Sequence, residues 1–318
     1  MTQVLITNCI GIFIVQNKKI ADKILFRHLE DFKNQKHIAQ QEAQLLKKHS
    51  AAKKTTFFIF PQHREFLQKF FEINLEQAKK ACKAAVRKEH LVMQASDAIK
   101  DIEKAINPLV KRVQEWYALY CPEAVEAVKN QEAFIRLILS KDRKEILKEQ
   151  QISFSIGADI VQKDVDIIYA LATKIQILQA EKISLEMYID GALHDIAPNL
   201  SALAGPLLAA ELIAKTGSLQ KLAAMPSSTI QMLGAENALF RFMRGQGRCP
   251  KHGIIVNYPL LANAKAKNKG KIARRFAGAL ARAAKVDYFK GDPYVGYKFK
   301  EHFERDVAEL LQRKDNIT

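Results

Sequence analysis

The sequence predicts a mainly α-helical protein in three parts: a small α/β N-terminal domain over residues 1–84, a long antiparallel coiled-coil hairpin over 85–196, and an all-helical C-terminal domain over 197–318. Three observations predict it. β-Branched runs broken by turn residues open the chain, apolar residues spaced three and four apart fill two long central stretches, and alanine-rich segments punctuated by Gly and Pro fill the last third. Composition agrees: 318 residues suit two or three domains, a hydrophobic content of 48% supports folding, and 13 Gly and 9 Pro leave little room for long flexible linkers.

Val4-Leu5-Ile6 and Ile10 to Val15 read as paired strands. A secretory-signal core is the competing reading. The stretch lacks a basic lead, contains Asn8 and runs into Gln16-Asn17-Lys18-Lys19 rather than a small-residue cleavage site. Asn17 and Lys18 read as a turn, Ile20 to Phe26 as a third strand, Leu29 to Lys48 as a polar helix, and Thr55 to Phe60 as a strand stopped by Pro61. By itself this domain reads equally as a small sheet packed on helices and as a docking platform.

From about Val86 the period changes. Val92, Ala95, Ile99, Ile102, Ile106, Leu109, Val113, Trp116 and Tyr120 alternate three and four apart, the seam of a long helix. Pro108 lies inside it and is expected to kink or restart it. Trp116 and Tyr117 are expected to pack between domains. Residues 123–150 read as one charged helix, Ser153 to Gly157 as a break, and Asp159 as the start of a second long helix with Ile167, Leu171, Ile175, Leu178, Leu185, Ile189 and Leu193 along its seam. Two such helices form a hairpin too thin to bury its own seams, so self-association is expected. Ala197-Pro198-Asn199 closes the second helix. Thr216-Gly217-Ser218 reads as a helix stop followed by an N-cap, and Pro226 to Thr229 as a loop and cap. Asn263 to Gly270 reads as a lysine-rich loop and Lys271 to Lys285 as a basic helix.

The net charge of +16 implies a polyanionic partner, and its distribution says where. From Glu236 to Lys290 thirteen Lys and Arg face two acids, Glu236 and Asp287, a local +11. Arg241, Arg244, Arg248 and Lys251 fall on a helix end and the following loop, where Gly245 and Gly247 allow close backbone approach. His252 and Tyr258 offer flat faces for an unpaired base. Lys265, Lys267, Lys269 and Lys271 alternate along the lysine-rich loop, and Arg274 and Arg275 open the next helix. Such a mixture suits the phosphates and shape of a structured RNA.

Other chemistry is missing from the sequence. Cys9, Cys82, Cys121 and Cys249 form no zinc or redox spacing, and a reducing intracellular compartment is expected. No apolar run reaches the length of a membrane span. No P-loop, dinucleotide fingerprint or nucleophile elbow occurs, so no catalytic residue, metal or cofactor is expected. His194 and Asp195 are neighbours on a helix and do not face each other; the remaining histidines are scattered singly.

The C-terminal block carries a resemblance. Ala197-Pro198-Asn199-Leu200-Ser201-Ala202-Leu203 is followed by Gly217-Ser218-Leu219, by Ser228 to Arg241 with Gly234-Ala235-Glu236-Asn237-Ala238-Leu239-Phe240-Arg241, by Cys249-Pro250-Lys251-His252-Gly253, by Pro259-Leu260-Leu261 and by Lys269-Gly270-Lys271-Ile272-Ala273-Arg274-Arg275. Upstream stand Trp116-Tyr117, Cys121-Pro122-Glu123 and Gly157-Ala158-Asp159. Over roughly residues 90–290 this resembles the Nop domain, most closely in archaeal scaffold proteins of box C/D guide RNA–protein particles. The resemblance implies a non-catalytic scaffold for guide-directed 2′-O-methylation. Its first domain would dock the methyltransferase fibrillarin and its coiled coil would self-associate. Its Nop domain would bind a box C/D guide RNA together with a small ribosomal-protein-like kink-turn-binding subunit. Gln231, Gly234, Ala235, Glu236 and Asn237 are the candidates for contact with that subunit, with helix packing as the competing role. Asn237 stands where the family usually has a lysine, and Pro206 where an acid is usual, so a local helix distortion is expected there. The lack of a lysine/acid-repeat tail after residue 300 points to the archaeal type. That type implies the cytoplasm; a eukaryotic member would be nucleolar. A spliceosomal scaffold on another kink-turn RNA, a general RNA-binding coiled-coil protein and an RNA-modifying enzyme are the competing readings.

Overall fold

The computed structural model describes residues 3–8, 10–16, 19–26, 34–50, 52–54 and 64–312. The expected Asn17-Lys18 turn, the start of the polar helix and the strand at Thr55 to Phe60 lie outside them. The chain divides into two compact units, Met1–Arg87 and Lys88–Thr318.

The first unit is built on a four-stranded sheet. Strands β1 (Gln3–Asn8), β2 (Gly11–Gln16), β3 (Lys19–Leu25) and β4 (Ala52–Lys54) lie in the order β3-β2-β1-β4, antiparallel except for the β1·β4 pair. Asn8 shapes the first turn by accepting from the amides of Ile10 at 2.9 Å and Gly11 at 3.2 Å. Both faces of the sheet are apolar, so both must be covered. Leu5, Ile12 and Ile14 pack on Ile38 and Leu45 of α1 (Gln35–Lys48). Ile6, Phe13 and Val15 pack on Phe70 of α2 (Arg64–Ala85).

In the second unit α3 (Lys88–Ala118) and α7 (Gln162–Ile196) form the hairpin. Lys88 meets Asp195 at 3.2 Å, Glu103 meets Lys182 at 2.7 Å, and Tyr117 meets Tyr169 at 6.3 Å between ring centres, one antiparallel register throughout. The seam departs from the expected one. Val110 and Tyr117 are fully buried, whereas Leu109 is half-buried and Trp116 is 37% exposed. A strict three/four spacing drifts around a helix of 3.6 residues per turn, and the segment between the two helices folds back to draw the buried face round. Tyr117 is therefore a hairpin core residue, edge-on to Tyr120 and Phe134, and not a packing residue between domains. Pro108 does not break α3. It sits on the exposed side, where the carbonyl it leaves without a donor faces water.

Residues 123–150 are not one helix but three: α4 (Pro122–Ala127), α5 (Gln131–Ser140) and α6 (Arg143–Glu149). The divisions are written in caps. Asn130 accepts from the amides of Glu132 and Ala133, and Asp142 with Glu145 forms a capping box. The break that follows is tied down. Glu123 accepts from Ser155 Oγ at 2.9 Å and the Ile156 amide at 3.0 Å, and Arg143 donates to Gly157 O at 2.8 Å. Burial pushes the Glu123 carboxyl up, but the amide and hydroxyl donors prevail and hold it below the usual glutamate range.

Eight further helices follow: α8 (Pro198–Ala204), α9 (Pro206–Thr216), α10 (Leu219–Ala224), α11 (Ser227–Met232), α12 (Glu236–Met243), α13 (Pro259–Ala262), α14 (Ala266–Tyr288) and α15 (Val295–Gln312), with a 3-10 turn at Ile254–Asn257. Gly217 takes φ 81° and Ser218 Oγ accepts from the Lys221 amide, the stop and cap expected. Pro206 distorts nothing. It opens α9 at the first helical position, where its missing donor has no intrahelical partner to lose. The centre of the core is α14, through Ile272, Phe276 and Leu280, and the base of the hairpin contributes Val92, Ile99, Ile189 and Leu193 to the same cluster.

A buried polar knot closes this region. Asp287 Oδ1 accepts from the Asn199 amide at 3.0 Å and Asn199 Nδ2 at 2.7 Å, and its Oδ2 from the Leu200 amide at 2.8 Å. It caps α8 from 88 residues away. Asn199 Oδ1 accepts in turn from the Gly296 amide at 2.6 Å, and a side chain at Gly296 would overlap the Asn199 backbone.

Candidate nucleic-acid interface

The basic block is assembled by backbone hydrogen bonds between two segments about twenty residues apart. Gly253 donates to Gln231 O at 2.8 Å and Ile254 to Leu233 O at 2.7 Å, while Gln231 Nε2 donates to Lys251 O at 2.7 Å. Only glycine fits this junction. A Cβ on Gly253 would overlap Leu233 O, and Gly234, at φ 83°, has the Ile254 side chain against it. The junction lays Lys251 across Gly270 of α14. Lys251, Lys267, Lys271 and Arg274 then line one shallow cleft of about 440 Å³ together with Gln231, Pro250 and Gly270. No acid lines it, and among the described residues no ion pair neutralises any of its four cations. Four like charges sharing a cleft raise the local potential and attract an anion.

Not all the predicted cations meet there. α14 begins at Ala266, earlier than the sequence suggested, with Lys265 as its N-cap residue. The alternating lysines are therefore mostly helical, and alternate helical residues point to opposite sides. Lys267 and Lys271 face the cleft; Lys269 turns away and donates to Ala262 O at 3.0 Å. Asn268, which has the look of a loop residue, is buried. Arg275 leaves the cleft for α15, where it donates to Asp306 O at 2.8 Å and lies 3.6 Å from the Asp306 carboxylate.

Tyr258 does not take the base-stacking role expected of it. It is buried, stacked on Phe276 at 4.3 Å and edge-on to Phe303, so it offers no face to a base. A single aromatic next to Pro259 carries no local mark of burial; its ring partners lie far along the chain. His252 stays half-buried at the rim of the loop.

Arg241, Arg244 and Arg248 are exposed on α12 and the loop that follows, which turns through Gly245 at φ 75° and Gly247 at φ 98°. α12 buries none of its residues. Phe240 is 58% and Met243 71% exposed, with Phe242 close behind. Sequence reasoning missed these apolar side chains interleaved with arginines. The signal is present in Phe240-Arg241-Phe242-Met243-Arg244, whose helical spacing puts Phe240, Phe242 and Met243 on one side and Arg241 and Arg244 on the other. Around α12, Glu236 Oε1 accepts from the Gly234 amide at 2.7 Å and closes the turn, Ala235 precedes the first helical residue, and Asn237 is exposed on the first turn. Gln231 and Gly234 are thus committed to the junction, while Glu236 and Asn237 present outward.

The family model described as Nop, snoRNA binding domain, fibrillarin, matches residues 98–309. The chain belongs to the Nop family. The matched span takes in α3 from residue 98 onward, all of α7, the cationic cleft and most of α15. A NOP5 family protein of Methanocaldococcus jannaschii is 35% identical over 271 residues, covering 80% of this chain and 65% of the relative. Nucleolar protein 56 of Dictyostelium discoideum is 32% identical over 249 residues, 72% of this chain and 46% of the relative. Nucleolar protein 58 of Schizosaccharomyces pombe is 37% identical over 213 residues, 62% of this chain and 42% of the relative. The chain therefore spans less than two thirds of the length of these Nop relatives. A solved fibrillarin/Nop5p complex aligns with a TM-score of 0.44 at 21% identity, over 95% of this chain and 99% of that one. Among the described residues no cluster of His, Cys, Asp and Glu could hold a metal, and no helix is long and apolar enough to cross a membrane.

Proposed function

We propose that this Nop-family chain is the non-catalytic core scaffold of a box C/D RNA–protein particle for guide-directed RNA 2′-O-methylation. The observation that carries the reading is the acid-free cleft of Lys251, Lys267, Lys271 and Arg274, which lies inside the span whose family description names snoRNA binding. Residues 197–318 bind the RNA through this cleft and through Arg241, Arg244 and Arg248. The outward-facing Glu236 and Asn237 meet the small kink-turn-binding subunit. Residues 1–84 dock fibrillarin, which performs the chemistry. In an archaeal-type cell this work belongs to the cytoplasm, in a eukaryotic one to the nucleolus.

The test is a gel shift on a box C/D RNA, with and without a kink-turn-binding protein already seated. Binding confined to the preassembled complex, and abolished when the kink becomes plain duplex, is expected. Equal binding to any RNA overturns the scaffold reading. Lys251→Ala or Arg248→Ala is expected to weaken assembly and lower the salt slope by about one for each phosphate released, with fibrillarin docking unchanged.

Residues 85–196 join two scaffolds. Between Ile175 and Ile189 no residue of α7 is buried, and Ile177, Ile183 and Met187 stand exposed. A second copy would cover them. Sedimentation of the full chain at micromolar concentration is expected to give a dimer, and a monomer would remove this part of the proposal.

A further inference from the structure

The cationic cleft occupies only the first turns of α14, and the remainder of that helix presents a feature that the cleft does not use. Lys267, Lys271, Arg274, Gly278, Arg282 and Lys285 follow one another at intervals of three and four. With 3.6 residues per turn they fall in one sector of about 80° and run for about 27 Å. From residue 272 to 287 every other position is buried or half-buried except Arg275, which is bonded to Asp306. The one acid in the helix, Asp287, is buried in the knot with Asn199. Among the described residues neither Arg282 nor Lys285 is in an ion pair; Arg282 lies over the Phe299 ring at 5.3 Å, which leaves its charge uncompensated.

Gly278 is the second, independent observation. It stands mid-helix, where glycine is the poorest former after proline. Nothing inside the protein calls for it: a Cβ there would meet no atom within 4 Å, and its φ is not left-handed. At Gly11, Gly157, Gly253 and Gly296 a Cβ would strike the protein's own backbone; Gly191 inside α7 is as open as Gly278 but has no Lys or Arg one turn away on either side. A helical glycine facing open space, flanked one turn away on either side by Arg274 and Arg282, is suited to close approach by something outside the chain.

We infer that the RNA does not stop at the cleft: its ribose–phosphate backbone continues along α14, passes directly over Gly278, and is held beyond it by Arg282 and Lys285. This deepens, and rests on, the RNA-binding reading above. A linear track of separated cations with a flat step in the middle fits a phosphate backbone, which such cations position without reading its sequence. An acidic protein segment would bring side chains of its own and would gain nothing from a bare backbone at that step.

The experiment uses the full chain and a box C/D RNA carrying the kink-turn-binding protein, titrated over a series of salt concentrations. Arg282→Gln with Lys285→Gln is expected to lower the salt slope by about one to two. Gly278→Leu is expected to weaken binding about tenfold through obstruction alone, while its melting temperature holds or rises because leucine is the better helix former. Lys271→Gln with Arg274→Gln serves as the comparator within the cleft. If the comparator loses affinity while both distal variants bind as the unaltered chain does, the track ends at Arg274 and the inference is overturned with the RNA reading intact. If the comparator also binds normally, the RNA reading fails and the inference with it.

Discussion

Asp287→Ala is expected to lower the stability of the 88–318 unit by about 2 to 6 kcal/mol, because two buried amides lose their acceptor at about 1 to 3 kcal/mol each. The carboxylate is 8% exposed and accepts three N–H groups from Asn199 and Leu200. Alanine removes this acceptor from all three, and although Asn199 Nδ2 keeps the Asp292 carbonyl at 3.0 Å, each amide left buried without an acceptor costs about 1 to 3 kcal/mol. Two of them are amides in the first turn of α8, which has no other side-chain cap. Burial already pushes this carboxyl above the ordinary aspartate range against the pull of its donors, so the knot is tight but costly to assemble. Thermal denaturation should show a melting temperature lower by about 10 °C for a unit of this size. A destabilisation under about 1 kcal/mol would mean that water replaces the carboxylate and that the knot is not the closure of the fold.

Lys271→Glu with Arg274→Glu is expected to weaken binding to the preassembled kink-turn complex by about 100-fold at physiological salt. Removing two phosphate-binding cations lowers the salt slope by about two, and reversing the charges adds repulsion of similar size. Both side chains are exposed and make no ion pair among the described residues, so folding should be untouched, and unchanged melting is part of the expected result. Arg275→Glu is the internal comparison. Arg275 is occupied by Asp306, so its reversal should cost stability where α14 packs on α15 and little RNA affinity. If the double variant bound RNA normally, the cleft would be a solvated basic surface and the RNA-binding reading would fail.

Much of the fold is legible in one dimension. β-Branched alternation locates β1 to β3, and the three/four spacing locates α3 and α7 to within a few residues. Gly217 with Ser218 marks a helix boundary to the residue, because a left-handed stop and a hydroxyl cap are local devices. Where local signs are weak, pattern and fold part company. Residues 123–150 have the pattern of one helix because their apolar residues keep a helical spacing across Asn130 and Asp142, and that spacing hides the two cap residues. α14 starts earlier than its sequence suggests because Asn268 and Gly270 favour a loop when their neighbours in space are unknown. The seam of α3 lies one position away from the spacing at Leu109 and Trp116, since which side of a helix is buried depends on what packs there.

The candidate site divides in the same way. The sequence by itself determined that a +11 block lies between Glu236 and Lys290, that its members are the residue types that hold phosphates, and that the chain resembles the Nop family to which it belongs. Composition, periodicity and turn chemistry depend on residues within a few positions of one another, so they survive in one dimension. Only the tertiary structure decided which cations share a cleft. It sorted Lys267 and Lys271 from Lys269, gave Arg275 to Asp306 and Tyr258 to Phe276, and set Asp287 against Asn199 across 88 residues. Each of those outcomes is a choice of partner between side chains distant in sequence, made by the packing of helices whose order along the chain does not state which of their faces will meet.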